Sequence, residues 1–184
     1  LDDYNALMLM STSDDQSLWG FYTSLLSGDP KSHLRPVEYA ILAALYWLFG
    51  TDPLPYQIFL ATLVPACAAT LYLVLDRLTQ RRHVALGVAI VFAMAPHYSS
   101  ARFWVVAFSP ILVLTLYLIS LYCVLRALES RGLRLAGWVA GAGIAMLASL
   151  FIYEIAVPLF VLTAVYFWYR ARRSGKEEVV AATS

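Results

Sequence analysis

Charged side chains are scarce in this sequence. They make up 14% of the 184 residues, whereas 61% belong to the hydrophobic set and the mean hydropathy is +0.69. A soluble domain is usually about 25% charged and about 45–50% apolar. Because a domain of about this size buries only about 70% of its unfolded surface, the excess apolar area has no place in a core. A soluble monomer and a disordered chain are excluded, and the composition predicts an integral membrane protein of the all-α class.

Cysteine, histidine and lysine are also rare. Cys67 and Cys123 lie in apolar runs, so we interpret them as small buried hydrophobic residues and expect no disulfide. His33, His83 and His97 are far apart and lack the spacing of zinc ligands. Arginine outnumbers lysine by 11 to 2, a bias common in GC-rich bacterial coding sequences. We therefore exclude a disulfide-rich secreted scaffold and expect a bacterial plasma (inner) membrane protein.

Long apolar runs define a polytopic bundle of transmembrane helices. A helix needs about 20 apolar residues to cross a hydrocarbon core of about 30 Å. Pro96 and the polar residues after it stop the second run, which predicts a short second span and a tight turn at 96–102. Gly137-x-x-x-Gly141 in the fourth run is typical of close helix packing. The five predicted spans are 53–75, 84–96, 103–125, 135–153 and 155–169.

The basic residues alternate between the two sides of this arrangement. Only Lys31, Arg35 and Arg102 lie on one side. The other ten follow the first, third and fifth spans: Arg77, Arg81, Arg82, Arg126, Arg131, Arg134, Arg170, Arg172, Arg173 and Lys176. Basic loops stay in the cytoplasm. The sequence therefore predicts an extracytoplasmic segment over 1–52 and a cytoplasmic tail or loop over 170–184.

The extracytoplasmic segment contains two helix signals. Ser13 and Gln16 have capping-box spacing, and an amphipathic interfacial helix is predicted after them, ending at Gly28-Asp29-Pro30. A second helix is predicted from Pro36 to Phe49, ending at Gly50, and its length favours a re-entrant or surface helix over a sixth span. Since the chain opens at Leu1 with an exported segment, we expect a membrane helix upstream and a fragment of a longer protein.

Several short motifs follow one another in a characteristic order. The first is an acidic pair, Asp2-Asp3, and the second is an Arg-Pro that opens a hydrophobic helix, Arg35-Pro36. A basic turn follows as Asp76-Arg77-Leu78, and then a Phe-Ala-x-x-Pro as Phe92-Ala93-Met94-Ala95-Pro96. The last is a glutamate before a proline-containing helix, in Tyr153-Glu154. In this order they resemble the N-terminal half of a GT-C membrane glycosyltransferase of the kind related to protein O-mannosyltransferases. One departure is Tyr153, since related sequences often have lysine before the glutamate.

The resemblance implies a transfer of sugar from a polyprenyl-phosphate carrier to an acceptor on the outer membrane face. Such a reaction needs a carboxylate base and cations around the phosphate leaving group. Asp3, or else Asp2, is the candidate base, the alternative being a solvated loop end or a helix cap. Arg35 is the first candidate for phosphate binding, with an interfacial anchor as its alternative. Arg102 and His97 are further candidates for the same pocket, and contact with lipid headgroups is their alternative.

Glu154 is an ionisable residue at the outer end of a span, which is a functional hypothesis by default. Three roles are open for it: pairing with Arg35 or Arg102, positioning the acceptor, and holding a divalent metal, which is the one cofactor considered. The alternative is a glutamate that only marks the membrane edge.

The leading hypothesis is thus a glycosyltransferase whose partners are a polyprenyl-phosphate sugar and membrane lipid. The alternative is a non-catalytic membrane subunit that binds lipid or a partner protein. A transporter is disfavoured because the span centres are almost free of polar residues, and no nucleic-acid partner is expected.

Overall fold

The computed structural model describes residues 3–28, 34–95, 108–166 and 168, and within them the chain is all-helical. The all-α class predicted from composition is therefore confirmed. The helices are α1 (Asp3–Ser11), α2 (Leu18–Gly28), α3 (Pro36–Phe49), α4 (Pro53–Thr79), α5 (Arg82–Met94), α6 (Phe108–Leu128), α7 (Leu133–Ile152) and α8 (Ala156–Tyr166).

Three of these helices are long and apolar enough to cross a membrane. α4, α6 and α7 have 27, 21 and 20 residues, and their most apolar windows have mean hydropathies of 2.2, 2.2 and 2.0. At 1.5 Å per residue, each reaches about 30 Å or more. No more than 44% of any of these windows is buried inside the protein, so most of their apolar surface faces outward. A bilayer covers such a surface, and the chain is a helical membrane protein.

The count of five spans stays a prediction. α5 overlaps the predicted second span but begins two residues before it. It has 13 residues and reaches about 20 Å, in keeping with the short span expected there. α8 lies in the predicted fifth span and is also shorter than the three long helices. The predicted turn at 96–102 and the tail over 170–184 lie outside the described residues.

α6 is the centre of the bundle. It packs against both α4 and α7, while α5 packs against α4. Phe108 is fully buried and meets Phe59 of α4 edge to face, and Ser120 donates a 2.9 Å hydrogen bond to the carbonyl of Ala142 in α7. Near the other end of the helices, Arg77 Nη1 of α4 lies 2.6 Å from Glu129 Oε2, just after α6. These contacts hold the three long helices together along their length.

The small-residue face of α7 packs less closely than its sequence predicts. A Cβ on Gly141 would meet Cys123 Sγ at 3.5 Å, which is an ordinary contact. A Cβ on Gly137 would meet no atom within 4 Å. Among the described residues, therefore, Gly137 serves no close helix contact, and that part of the Gly-x-x-x-Gly prediction is wrong for this chain's own helices.

The three N-terminal helices form a layer on the bundle. α1 packs on α2, and α2 on α3, while α3 also contacts α4 and α7. Phe21 and Tyr46 meet edge to face with ring centroids 4.9 Å apart, beside the buried Leu25 and Leu42. The bounds predicted for α3 are confirmed: Pro36 stands at its start, and Gly50 ends it with a φ of 59°, which glycine adopts readily.

The start of α2 differs from its prediction. The helix begins at Leu18, and Ser17 Oγ accepts a 3.1 Å hydrogen bond from the backbone N–H of Gly20. Asp15 in turn accepts bonds from the backbone N–H and the hydroxyl of Ser17. The cap is therefore Ser17. Gln16 does not reach back to a backbone N–H as a capping box requires, because its side chain donates to the carbonyl of Ser13.

Candidate functional site: a cation and two carboxylates at one end of the bundle

Arg35 is the centre of the candidate site. Its Nε and Nη2 donate to the two carboxylate oxygens of Glu154 at 3.0 and 2.7 Å, which is a bidentate ion pair. The guanidinium carbon lies 3.9 Å from the centre of the Tyr153 ring, and Nη1 lies 3.8 Å from Glu38 Oε2. Ser109 completes the group. These five residues, Arg35, Glu38, Ser109, Tyr153 and Glu154, are called the Arg35 cluster below.

Local sequence explains how the cluster is assembled. Pro36 fixes the start of α3, which leaves Arg35 just before the helix and puts Glu38 in its first turn, where the helix dipole favours an acid. α7 ends at Ile152, and Tyr153 has extended backbone, so the chain turns at Glu154 before α8. Ile152 and Ala156 are buried in an apolar group that includes Val37 of α3. This packing brings the corner between α7 and α8 beside the start of α3.

Glu38 is the buried carboxylate of the cluster, with 4% of its surface exposed. Ser109 donates a hydrogen bond to its Oε1, while Oε2 has no hydrogen-bond partner within the described part of the chain. Burial raises the pKa of Glu38, and the Ser109 hydrogen bond and the charge of Arg35 oppose that rise only in part. The pKa of Arg35 is raised, chiefly by its hydrogen bonds to Glu154.

Glu38 is expected to make the stability of the protein depend on pH. Because its pKa is raised on folding, the folded protein holds the proton more tightly than the unfolded chain. The stabilisation is full below the ordinary pKa of 4.5 and is lost as the pH rises through the raised value. The thermal unfolding midpoint of Glu38→Gln in detergent should therefore fall less than that of the wild type as the pH rises.

The control for this prediction is Asp14→Asn, which removes an exposed carboxylate outside the cluster. It should keep the wild-type dependence on pH. Equal dependence in the wild type and in Glu38→Gln would show that Glu38 does not gain a proton on folding.

The structure describes only some of the residues predicted for the site. Of the roles left open for Glu154, it shows the ion pair with Arg35. Asp2, His97 and Arg102 lie outside the described residues. The backbone of Asp3 begins α1, and its side chain is not described. Within the described ranges no three side chains of the types that bind metals come together, so the metal role of Glu154 gains no support.

Three members of the cluster were not among the residues predicted for the site: Glu38, Ser109 and Tyr153, the last of which was noted only as a departure from lysine. Glu38 had a local signal, since it lies three residues after Arg35 and is the one acid in an apolar helix. Ser109 had none, because it is 71 positions from the carboxylate to which it donates. Only the packing of α3 against the bundle brings the two together.

The fold and the cluster together define a helical membrane protein with a polar, ion-paired cluster at one end of its helices. Comparison with family models, with curated proteins and with solved structures gave no match.

Proposed function

We propose that this protein is a GT-C-like membrane glycosyltransferase that transfers a sugar from a polyprenyl-phosphate carrier to an acceptor on the outer face of the membrane. The Arg35 cluster is the observation that carries the proposal. It gathers a guanidinium and two carboxylates at a helix end, where a lipid carrier would hold its phosphate. The arginine of the Arg-Pro motif and the glutamate before the proline-containing helix, both part of the family resemblance, contribute to it as Arg35 and Glu154.

The charge distribution supports an outward-facing cluster. Seven arginines and no lysines occur among the described residues, and only Arg35 lies at the cluster end. The other six lie where α4 and α6 end and α5 and α7 begin: Arg77, Arg81, Arg82, Arg126, Arg131 and Arg134. We call this second end of the bundle the basic end. By the positive-inside rule it faces the cytoplasm, which directs the Arg35 cluster to the opposite side.

In the proposed reaction the acceptor oxygen attacks the anomeric carbon of the sugar. The bond between that carbon and the phosphate oxygen breaks, and the polyprenyl phosphate leaves with the electron pair. Asp3 takes the proton of the acceptor as general base. Arg35 stabilises the negative charge that develops on the departing phosphate. α1, which begins at Asp3, packs against α2 and contacts α3, the helix that follows Arg35.

Arg35 can serve a phosphate because its present partner is replaceable. The side chain of Glu154 is 61% exposed, so water competes for it, whereas that of Arg35 is only 21% exposed. Tyr153 contacts the face of the Arg35 guanidinium, so the N–H groups at the edge of the guanidinium can bind an anion. In this proposal Glu154 holds Arg35 in place until the phosphate of the donor replaces Glu154 as the partner of Arg35.

The ion pair also favours the second candidate, a non-catalytic membrane subunit. A bidentate partner already satisfies two guanidinium nitrogens, as in an arginine that only joins α3 to the end of α7. Co-purification with a stable partner, together with indifference to substitution of Asp2 and Asp3, would support this reading against the enzyme.

The proposal is tested by reconstituting the protein in proteoliposomes with a panel of radiolabelled polyprenyl-phosphate hexoses and the membrane extract of its host as the source of acceptor. Label should move from the lipid to a non-lipid product, and boiled protein should give none. If no donor of the panel loses label above that control while the protein is folded, the glycosyltransferase assignment is contradicted.

A further inference from the structure

An open cleft lies at the basic end, far from the Arg35 cluster along the helices. It occupies about 620 Å³ between the end of α6 and the start of α7. Its lining consists of Arg126, Glu129, Ser130, Arg134, Gly137 and Trp138. The proposed sugar transfer, which we assign to the other end of the bundle, makes no use of these residues.

The cleft has a surplus of positive charge. Its one acid, Glu129, lies 2.6 Å from Arg77 of α4, so its charge is already matched. Arg126 and Arg134 form no ion pair with any carboxylate in the described ranges. Two arginine charges therefore face the cleft without an acidic partner.

Arg126 carries a donor that lacks an acceptor. Its Nε is buried and makes no hydrogen bond within the described part of the protein. The guanidinium carbon lies 5.3 Å from the centre of the Trp138 ring, and Tyr122 meets that ring edge to face. The aromatic pair thus lies against an arginine whose buried Nε–H has no acceptor among the described residues, and a buried donor without a partner is unfavourable.

The start of α7 also lacks a negatively charged partner. Gly132 caps the helix without a side chain, and its first turn has no acid. Arg134 lies in this turn instead, although the positive end of the helix dipole disfavours a cation. An anion bound here would satisfy backbone N–H groups of the first turn and offset the charge of Arg134.

The surroundings of the cleft indicate the source of the anion. Leu128 and Leu133, at the adjoining helix ends, are 70% and 92% exposed, and a Cβ on Gly137 would meet only open space. A polar cleft with apolar residues beside it, at the end of membrane-spanning helices, suits a headgroup whose chains continue into the bilayer. We propose that this cleft binds the phosphate of an anionic membrane lipid, held by Arg126, Arg134 and the start of α7.

The test is native mass spectrometry of the full chain in detergent, titrated with phosphatidylglycerol or phosphatidylcholine. The wild type should bind phosphatidylglycerol more tightly. A basic residue near the membrane surface contributes roughly fivefold in affinity for an anionic lipid, so Arg126→Gln with Arg134→Gln should weaken binding by about 25-fold. Arg82→Gln, which removes an exposed arginine of the same end outside the cleft, should bind like the wild type.

A second variant leaves both arginines in place. Gly137→Leu fills the cleft and should weaken phosphatidylglycerol binding at least about fivefold. Gly87→Leu on α5 is the matched control, because a Cβ there also meets open space, and it should have no effect. This pair keeps the proposal testable if the double arginine variant does not fold.

Three results would overturn the proposal. The first is equal phosphatidylglycerol binding by the wild type and by the folded double variant. The second is a Gly137→Leu protein that binds phosphatidylglycerol like the wild type, since the attraction would then be diffuse and not located in the cleft. The third is binding of inorganic phosphate that depends on Arg126 and Arg134, together with equal binding of phosphatidylglycerol and phosphatidylcholine. The ligand would then be a soluble anion.

Discussion

Replacement of Asp3 by asparagine is expected to lower the rate of sugar transfer by about 10²- to 10⁴-fold, the usual contribution of a general base. The substitution is well matched to the question. Asp3 begins α1, and asparagine caps a helix as well as aspartate does, so a role as a helix cap would survive the change. The negative charge and the ability to take a proton are both lost, and loss of the charge at the start of α1 costs at most about 1 kcal/mol of stability. The measurement is kcat for transfer from the polyprenyl-phosphate donor in proteoliposomes.

Asp14→Asn is the control for Asp3, since it removes an exposed acid from the same N-terminal region. It should keep the wild-type rate, and Asp2→Asn should have a smaller effect than Asp3→Asn. If Asp3→Asn transfers sugar as fast as Asp14→Asn, Asp3 is not the base. A large loss in Asp2→Asn alone would assign the base to Asp2.

Replacement of Arg35 by glutamine should have the second largest effect, a fall in kcat of about 10²- to 10³-fold, as for other groups that stabilise a developing oxyanion. Glu154→Gln removes the other half of the same ion pair and should leave kcat within about threefold of the wild type, because the phosphate replaces Glu154 in the reacting complex. Both variants should lose about 1 kcal/mol of stability for the partly exposed bidentate pair, and Arg35→Gln also loses the contacts of the guanidinium with Glu38 and Tyr153.

The comparison of these two variants separates a phosphate-binding residue from a structural one. If Arg35 only joins α3 to the end of α7, each variant should lose activity in step with its own loss of stability. Arg77→Gln serves as the control, since it breaks an ion pair of similar exposure at the basic end and should leave kcat unchanged. Equal losses of kcat in Arg35→Gln and Glu154→Gln would contradict phosphate binding by Arg35.

Local sequence signals predicted the fold where structure depends on neighbouring residues. Pro36 and Gly50 fix both ends of α3 because each acts on its own backbone, and the predicted bounds are the observed ones. The predicted start of α2 was wrong because two serines, Ser13 and Ser17, precede the apolar residues and either could cap the helix. Asp15 decides between them by binding Ser17, a preference that the Ser-x-x-Gln spacing does not contain.

The candidate site could be predicted only in part, for a different reason. Arg35 and Glu154 were both expected near the outer interface, so their pairing was one of several roles left open for Glu154, beside pairing with Arg102, positioning the acceptor, holding a metal and marking the membrane edge. The bond from Ser109 to Glu38 depends on how α3 lies against α6, which no local pattern encodes. The same holds for the charge surplus of the cleft, because Arg77 reaches Glu129 from another helix.

The most direct test of the proposed function is photo-crosslinking with a polyprenyl-phosphate analogue whose reactive group lies next to the phosphate. We expect saturable labelling of the peptides that contain Arg35 and Glu154. Excess unlabelled polyprenyl phosphate should abolish this labelling, and excess phosphatidylglycerol should not. Saturable labelling confined to the peptides around Arg126 and Arg134, or no saturable labelling of the folded protein, would contradict a donor site at the Arg35 cluster.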